Sequence, residues 1–228
     1  MISVAIDGPS GAGKSTISRK AAELYGFIYV DTGAIYRTIG LASKLLGVDA
    51  NNDAAVVAIL PKLDIQMKYN DLGEQRMYLD GRDVSSEIRL PEVSMLASKV
   101  SAIPGVRAFL VEMQRGMARR HDVIMDGRDI GTVILPDADL KIFLTASAQD
   151  RARRRFDELT VKGVECSFDE VLADMLKRDE QDTARAAAPL KPADDAVILD
   201  TSGNTLEQSV EAVCDLIAAK TGRQAVKR

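Results

Sequence analysis

Nine consecutive residues near the start of the chain have the composition and spacing of a phosphate-binding loop. The run Gly8-Pro9-Ser10-Gly11-Ala12-Gly13-Lys14-Ser15-Thr16 matches the pattern G-x-x-x-x-G-K-[ST] at every defined position. Its glycines let the backbone bend so that successive N–H groups face one anion. Lys14 supplies a cation for the outer phosphates of a nucleotide, and the Ser15 hydroxyl can ligate magnesium. The alternative is a glycine-rich turn that only connects a strand to a helix.

Polar residues occur at further points where predicted strands end. They are Asp7, Asp31-Thr32, Asp126 to Asp129, and Thr145. Because open parallel sheets bind ligands beyond the carboxyl ends of their strands, we expect these residues to converge on one edge of a sheet. Asp126 is expected to orient magnesium through water, and the alternative is a turn aspartate that precedes a glycine.

Two groups of arginines could hold anions. The first comprises Arg151, Arg153, Arg154 and Arg155. Such a cluster is usually a solvated helix face or a nucleic-acid contact, but beside a phosphate-binding loop it predicts arginines that close over transferring phosphates. The second group, Arg178, Asp182 and Arg185, has the spacing of one helix stripe. It predicts either an ion pair on the helix surface or a face presented to a second anionic substrate.

The elements that position these residues follow a repeating strand–helix pattern. Five short apolar runs, at 2–6, 27–30, 123–125, 140–144 and 197–199, are each followed by helix-rich sequence. This predicts an α/β fold, a P-loop NTPase-type five-stranded parallel sheet flanked by helices. Alternating apolar and polar residues between 63 and 88, with a turn at 70–73, predict a small antiparallel β insert.

Composition narrows the class of protein. The chain has 228 residues, 46% hydrophobic and 28% charged, with a net charge of −4, so it is not a polyanion binder as a whole. Its two cysteines lack metal spacing and favour a reducing compartment. The first apolar run is too short for a signal peptide or a membrane span. We therefore expect a cytoplasmic protein with no membrane and no nucleic-acid partner, and a monomer by default.

Three further segments resemble bacterial cytidylate kinases. They are Asp31-Thr32-Gly33-Ala34-Ile35-Tyr36-Arg37, Asp126-Gly127-Arg128-Asp129-Ile130-Gly131-Thr132, and Arg178 through Leu190. With the phosphate-binding loop, the similarity runs nearly end to end. It implies a single P-loop nucleoside monophosphate kinase domain over 1–228. The core would comprise 1–32, 106–147 and 166–228, with a monophosphate-binding insert region at 33–105 and an arginine-rich lid at 148–165.

The resemblance also implies roles for individual residues. Similar enzymes hold the cytosine with residues that correspond to Ser98, Arg107 and Asp129, and the monophosphate with Arg37, Arg128 and Arg185. Arg178 and Asp182 match residues near the sugar, while Thr32 and Tyr36 belong to the same substrate-binding set. Thr32 stands where relatives often have serine, and Ser15 stands where they often have glycine. The implied catalytic residues are Lys14, Arg128, Arg154, Arg155 and Arg185.

The implied reaction is in-line transfer of the ATP γ-phosphoryl group to CMP or dCMP, with Mg²⁺. The acceptor is already anionic, so no strong general base is required, and the only histidine, His121, is expected to be an exposed helix-end residue. One alternative is a kinase of the same architecture for UMP, AMP or a non-nucleotide acid such as shikimate. Another is a nucleotide-regulated binding protein whose arginine cluster contacts nucleic acid.

Overall fold

The computed structural model describes residues 1–71, 74–161, 163–185 and 188–226, which form two compact units. The first unit comprises Met1–Tyr29 and Ala118–Arg228, and the second comprises Val30–Met117. Parts of three predicted features lie outside the described residues: Leu72 and Gly73 of the 70–73 turn, Lys162 of the lid, and Ala186 and Ala187 of the third similar segment.

The first unit is built on the predicted parallel sheet. In the described part of the chain five strands form it: β1 (Ser3–Asp7), β2 (Ile28–Asp31), β6 (Val123–Gly127), β7 (Leu140–Thr145) and β8 (Val197–Asp200). The last two residues of β2 are counted in the second unit. The strand order is β2-β6-β1-β7-β8, and the pairs β1–β6, β1–β7 and β7–β8 are parallel. The predicted fold class is confirmed.

Helices cover this sheet because their apolar faces need burial. They are α1 (Lys14–Tyr25), α6 (Ala148–Val161), α7 (Phe168–Ala184) and α8 (Leu206–Thr221). One apolar core joins the central strands to α1 and α8, and it includes Ile6, Ile17 and Val213. Capping boxes at Ser167 and Thr205 satisfy the first N–H groups of α7 and α8.

A turn with a π-helical hydrogen-bond pattern, Ile130–Ile134, follows β6. The N–H of Ile134 donates to the carbonyl oxygen of Asp129 at 3.2 Å, and the N–H of Leu135 donates to that of Ile130 at 2.6 Å. Asp129 is therefore the residue from which the turn starts. Turns of this kind are rare, and those that occur are often at functional sites.

The second unit combines helices with the predicted antiparallel insert. Strands β3 (Ile65–Tyr69), β4 (Gln75–Leu79) and β5 (Arg82–Asp83) form a three-stranded sheet in the described residues. The helices are α2 (Thr32–Leu45), α3 (Asp53–Ile59), α4 (Pro91–Val100) and α5 (Pro104–Arg120). Gly40 allows α2 to approach α4 closely, since a Cβ there would lie 3.0 Å from the backbone nitrogen of Ala97.

The predicted stripe Arg178, Asp182, Arg185 lies at the C-terminal end of α7. Arg178 and Asp182 are helical, and α7 ends at Ala184. Arg185 is the residue that follows the helix, with φ −58° and ψ 134°.

Candidate active site

The phosphate-binding loop is shaped by the strand beside it. Gly8 has φ +149°, and a Cβ there would lie 2.0 Å from the carbonyl oxygen of Leu144 in β7. Only glycine fits this position, since the contact is with backbone that cannot move aside. Gly11 and Gly13 have φ values of +74° and +87°, and α1 begins immediately after them at Lys14. The free N–H groups of α1 and the positive end of its dipole are thereby placed next to the loop.

Lys14 is buried inside the loop. Its side chain is bound to the loop itself, because Nζ donates to the carbonyl oxygen of Pro9 at 2.7 Å. Burial lowers the pKa of Lys14 well below its ordinary value, and the positive charge of Arg128 lowers it further, while Asp126 and Asp7 raise it. A phosphate bound here would raise the pKa of Lys14 again, because its negative charge favours the ammonium form.

Ser15 and Asp126 form a pair of oxygen ligands suited to magnesium. The Ser15 hydroxyl donates to Oδ2 of Asp126 at 2.8 Å. Within the described residues no group of three or more His, Cys, Asp or Glu side chains could hold a metal. A hydroxyl with one carboxylate fits Mg²⁺, which takes one or two protein oxygens and completes its shell with phosphates and water.

Tyr29 also contacts Asp126, and the sequence analysis did not predict this contact. Its hydroxyl donates to Oδ1 of Asp126 at 3.0 Å, so both carboxylate oxygens are held. Tyr29 lies on β2, the neighbour of β6 in the sheet. Predicting this contact requires the order of the strands in the sheet, and the spacing of residues along the chain does not give that order.

Two arginines of the predicted lid contact the phosphate-binding loop. Arg151 is 7% exposed, and its Nη1 donates to the carbonyl oxygen of Ser10 at 2.9 Å and to Asp179. Arg154 donates from Nη1 to the carbonyl oxygen of Ala12 at 3.3 Å. The solvated-face alternative therefore does not hold for these two residues.

The other two arginines of the cluster have different neighbours. The guanidinium of Arg153 lies 4.6 Å from the centre of the Phe168 ring. Arg155 forms an exposed ion pair with Glu158 at 2.8 Å. The structure thus brings Arg154 to the loop and places Arg155 on a surface ion pair.

Arg128, Asp182 and Arg185 form a buried charge cluster. Asp182 is 1% exposed, and its Oδ2 accepts from Nε of Arg128 at 2.8 Å. Arg185 is ion-paired with Oδ1 of the same carboxylate. The alternative of a helix-surface ion pair is therefore wrong, because Asp182 faces the interior. Asp182 thus holds two guanidiniums, and a phosphate has the charge and geometry to take the place of such a carboxylate on an arginine.

Asp129 and Asp7 meet at the π-helical turn. The carboxylate of Asp7 accepts the N–H groups of Ile130 and Gly131, each at 2.7 Å. Burial raises the pKa of Asp7 to about 6, although these two N–H groups lower it. Asp129 itself is 5% exposed and follows β6 by two residues.

In the second unit, Asp31 organises the start of α2. Its Oδ1 accepts the N–H of Ala34 at 2.9 Å as a helix N-cap, and its Oδ2 accepts from Arg37 at 2.8 Å. Burial opposes the ionised form, but the charges of Arg37 and Arg89 hold the pKa of Asp31 below its ordinary value. Thr32, the first residue of α2, is 3% exposed.

The remaining predicted acceptor residues of this unit cluster on α2, α4 and α5. Arg107 is 7% exposed, and its guanidinium lies 5.9 Å from the centre of the Tyr36 ring. Its Nη1 donates to the carbonyl oxygen of Ser101 at 3.2 Å, and the Ser101 hydroxyl donates to that of Ser98 at 2.9 Å. Ser101 thus connects two residues predicted to bind the base, and it was not among the predicted residues.

Comparisons with known proteins show the family of the chain. The family model described as "Cytidylate kinase" matches residues 4–219. The chain belongs to the cytidylate kinase family. It is 49% identical over 215 residues to a cytidylate kinase of Caldicellulosiruptor bescii, with 94% of this chain and 95% of that protein covered. It is 46% identical over 217 residues to one of Carboxydothermus hydrogenoformans, with 95% and 97% covered.

Membership of the cytidylate kinase family confirms three predictions. The resemblance itself is confirmed, and so are the phosphotransferase class with a phosphate group as acceptor and the nucleoside monophosphate kinase activity. As a kinase the protein uses ATP and nucleotide substrates. A solved structure of an uncharacterized protein from Eubacterium ventriosum shares the fold, with a TM-score of 0.53, 14% identity and coverage of 96% and 98%.

Among the described residues no single helix is long and apolar enough to cross a bilayer. The helices Pro91–Val100 and Pro104–Arg120 reach that length and composition only together, and they are bent by 99° at the break between them.

Proposed function

We propose that the protein transfers the γ-phosphoryl group of ATP to CMP or dCMP, giving CDP or dCDP and ADP. The observation that carries this proposal is the pairing of Arg128 and Arg185 with one buried carboxylate, Asp182, in the same unit as the phosphate-binding loop. The loop accounts for the donor, and the cluster is a second anion site, which a hydrolase that uses water alone does not need.

The loop residues Gly8 to Thr16 hold the donor in this proposal. On ATP binding, Lys14 exchanges the Pro9 carbonyl oxygen for the outer phosphates. Arg154, already at the Ala12 carbonyl oxygen, stabilises charge on the phosphoryl group in transfer, and Arg155 leaves Glu158 to do the same. Mg²⁺, held by Ser15 with Asp126 acting through water, would neutralise charge on the phosphates.

The acceptor phosphate is bound by arginines that have carboxylate partners in the structure. Arg37 is paired with Asp31, and Arg128 and Arg185 with Asp182. A phosphate has the charge and geometry to replace a carboxylate on a guanidinium. The attacking phosphate oxygen is already anionic, so positioning and charge stabilisation suffice without a general base.

The base is read by Ser98, Arg107 and Asp129 in this proposal. A carboxylate accepts a hydrogen bond from the exocyclic N4 amine of cytosine. Uracil has a carbonyl oxygen at that position, and it would face the negative charge of Asp129. Rejection of such an analogue reaches ~10⁴–10⁵-fold where the polar groups are fully desolvated. Thr32, Tyr36, Arg178 and Asp182 complete the proposed substrate set, with the last two near the sugar.

The proposal includes no nucleic-acid partner, a monomeric state and a cytoplasmic location, all of which stay predictions. Arg151 supports the first of these, because its guanidinium is buried against the loop and not offered to a polymer. The net charge of −4 points the same way, since phosphate backbones attract positively charged proteins.

A coupled ADP-release assay across CMP, dCMP, UMP, dUMP, AMP and GMP tests the proposal. We expect CMP and dCMP to be phosphorylated with a kcat/KM at least about a hundredfold above that of every other acceptor. A preference for UMP, dUMP, AMP or GMP would contradict the assigned base. Salt-sensitive RNA or DNA binding without ADP release would instead support the binding-protein alternative.

A further inference from the structure

Asp7 is a buried acidic residue that belongs to neither the donor set nor the acceptor set. It ends β1, immediately before the phosphate-binding loop, and is 4% exposed. Each of its two carboxylate oxygens accepts one backbone N–H, from Ile130 and from Gly131, at 2.7 Å. The carboxylate thus satisfies the first two N–H groups of the π-helical turn, which have no partner within the turn.

These bonds fix the backbone on the C-terminal side of Asp129. The carbonyl oxygen of Asp129 accepts the N–H of Val133 at 2.9 Å and that of Ile134 at 3.2 Å. The next two N–H groups along the chain are those bound by Asp7. The peptide that follows Asp129 is therefore held on both its oxygen and its nitrogen, and this limits the directions in which the Asp129 side chain can point.

The same turn is supported by Lys141. A Cβ added to Gly131 would lie 3.2 Å from Cδ of Lys141 and 3.4 Å from Oδ2 of Asp7. Lys141 is itself held in place, because its Nζ donates to both carboxylate oxygens of Asp195 at 2.8 Å. The turn therefore has little room to shift between the Asp7 carboxylate and the Lys141 stem.

We propose that Asp7 is a positioning residue for acceptor specificity, which holds the turn at Ile130 and Gly131 so that the Asp129 carboxylate is aimed at the cytosine amine. This inference rests on the proposed function, since Asp129 must read the base. With this role for Asp7, β1 serves both substrates. Its backbone leads into the donor loop, and the side chain of its last residue positions the turn that reads the base.

The first test is the substitution Asp7→Asn, which keeps the shape but places an amide N–H₂ against one backbone N–H. We expect the ratio of kcat/KM for CMP to that for UMP to fall about tenfold, because at least one bond to the turn is lost. The KM for CMP rises in the same assay. The KM for ATP rises less, because Asp7 acts on the donor residue Lys14 only through its charge, which bound phosphate replaces. Equal rises in both KM values would overturn the proposal.

Asp139→Asn is the matched control. Asp139 also accepts a backbone N–H from β1, that of Ser3 at 2.8 Å, but at the opposite end of the strand. We expect this variant to keep the wild-type CMP-to-UMP ratio. A fall equal to that of Asp7→Asn would mean that any weakened contact to β1 lowers selectivity, and it would overturn the positioning role.

A double-mutant cycle shows whether Asp7 acts through Asp129. In an Asp129→Asn background we expect Asp7→Asn to leave the CMP-to-UMP ratio where Asp129→Asn alone puts it. A further tenfold loss in the double variant would contradict coupling between them. If Asp129→Asn by itself leaves the ratio unchanged, the base-reading role fails first, so the two failures are distinguishable.

Gly131→Ala is a second test of the positioning role, for the case in which Asp7→Asn does not fold, as judged by circular dichroism and thermal melting. It retains the Asp7 carboxylate but pushes the turn against Lys141. We expect a fall of about threefold in the CMP-to-UMP ratio with an unchanged KM for ATP, because the turn and the Lys141 side chain must move apart by a few tenths of an ångström. A folded Gly131→Ala variant with the wild-type ratio would overturn the proposal.

Discussion

The donor loop and the proposed acceptor residues are stabilised in opposite ways. The loop is one contiguous segment whose shape comes from backbone geometry, with Gly8 against the Leu144 carbonyl oxygen and α1 starting at Lys14. The acceptor residues are scattered along the chain, and their charges are satisfied by internal carboxylates, as Arg128 is by Asp182. If the proposed sites are right, a donor phosphate would enter a loop whose backbone is already shaped and would displace only the Lys14–Pro9 hydrogen bond. An acceptor phosphate would instead compete with carboxylates already bound to the arginines.

Removing the Lys14 charge is expected to give the largest effect. Lys14→Met should lower kcat for phosphoryl transfer by about 10³-fold, because the cation that stabilises the transferring phosphate is lost. Lys20→Met, an exposed position on the same helix, is the control and should retain wild-type kcat. Retained activity in Lys14→Met, measured by ADP release, would show that the loop takes no part in phosphoryl transfer.

Removing Arg128 should affect the acceptor and spare the donor. Arg128→Met is expected to lower kcat/KM for CMP by about 10²-fold, with the KM for ATP changed less than about threefold. Arg223→Met is the control, because that arginine forms an exposed pair with Asp122. If the KM for ATP rose as much as that for CMP, the division into donor and acceptor residues would be wrong.

The sequence predicted contiguous features better than features that depend on burial. The loop and the five strands could be predicted, since each is encoded within a few neighbouring residues. The burial of Asp182 could not, because a spacing of four residues fits a surface pair equally well. Tyr29 was missed because its contact with Asp126 depends on strand order.

Tyr29 gives a smaller and more selective effect on the donor side. Tyr29→Phe removes the hydrogen bond to Oδ1 of Asp126, so we expect the magnesium concentration for half-maximal activity to rise about fivefold with little change in the KM for CMP. Tyr25→Phe removes a similar hydroxyl, which donates to the Cys214 carbonyl oxygen at 2.8 Å, and should leave the magnesium requirement unchanged. An unchanged requirement in Tyr29→Phe would show that Asp126 does not depend on Tyr29 for its orientation.

The smallest expected effect is a difference in pH dependence between Asp7 and Asp31. The pKa of Asp7 is raised to about 6, so its ionisation penalises the folded state above that pH, and stability is gained as pH falls from about 6 towards 4. The pKa of Asp31 is lowered, so its contribution is present above the unfolded value near 4 and is lost as pH falls below it. Chemical denaturation of wild type and Asp7→Asn should therefore show the wild type gaining relative stability between pH 7 and 5. A constant difference over that range would contradict the raised pKa.

The most direct test of the division between donor and acceptor residues is equilibrium binding of each substrate to each variant. Isothermal titration calorimetry would measure ATP and CMP separately on Lys14→Met and Arg128→Met. We expect Lys14→Met to lose affinity for ATP while it keeps that for CMP, and Arg128→Met to do the reverse, each loss being at least about tenfold. Comparable losses of both ligands in both variants would contradict separate donor and acceptor sets.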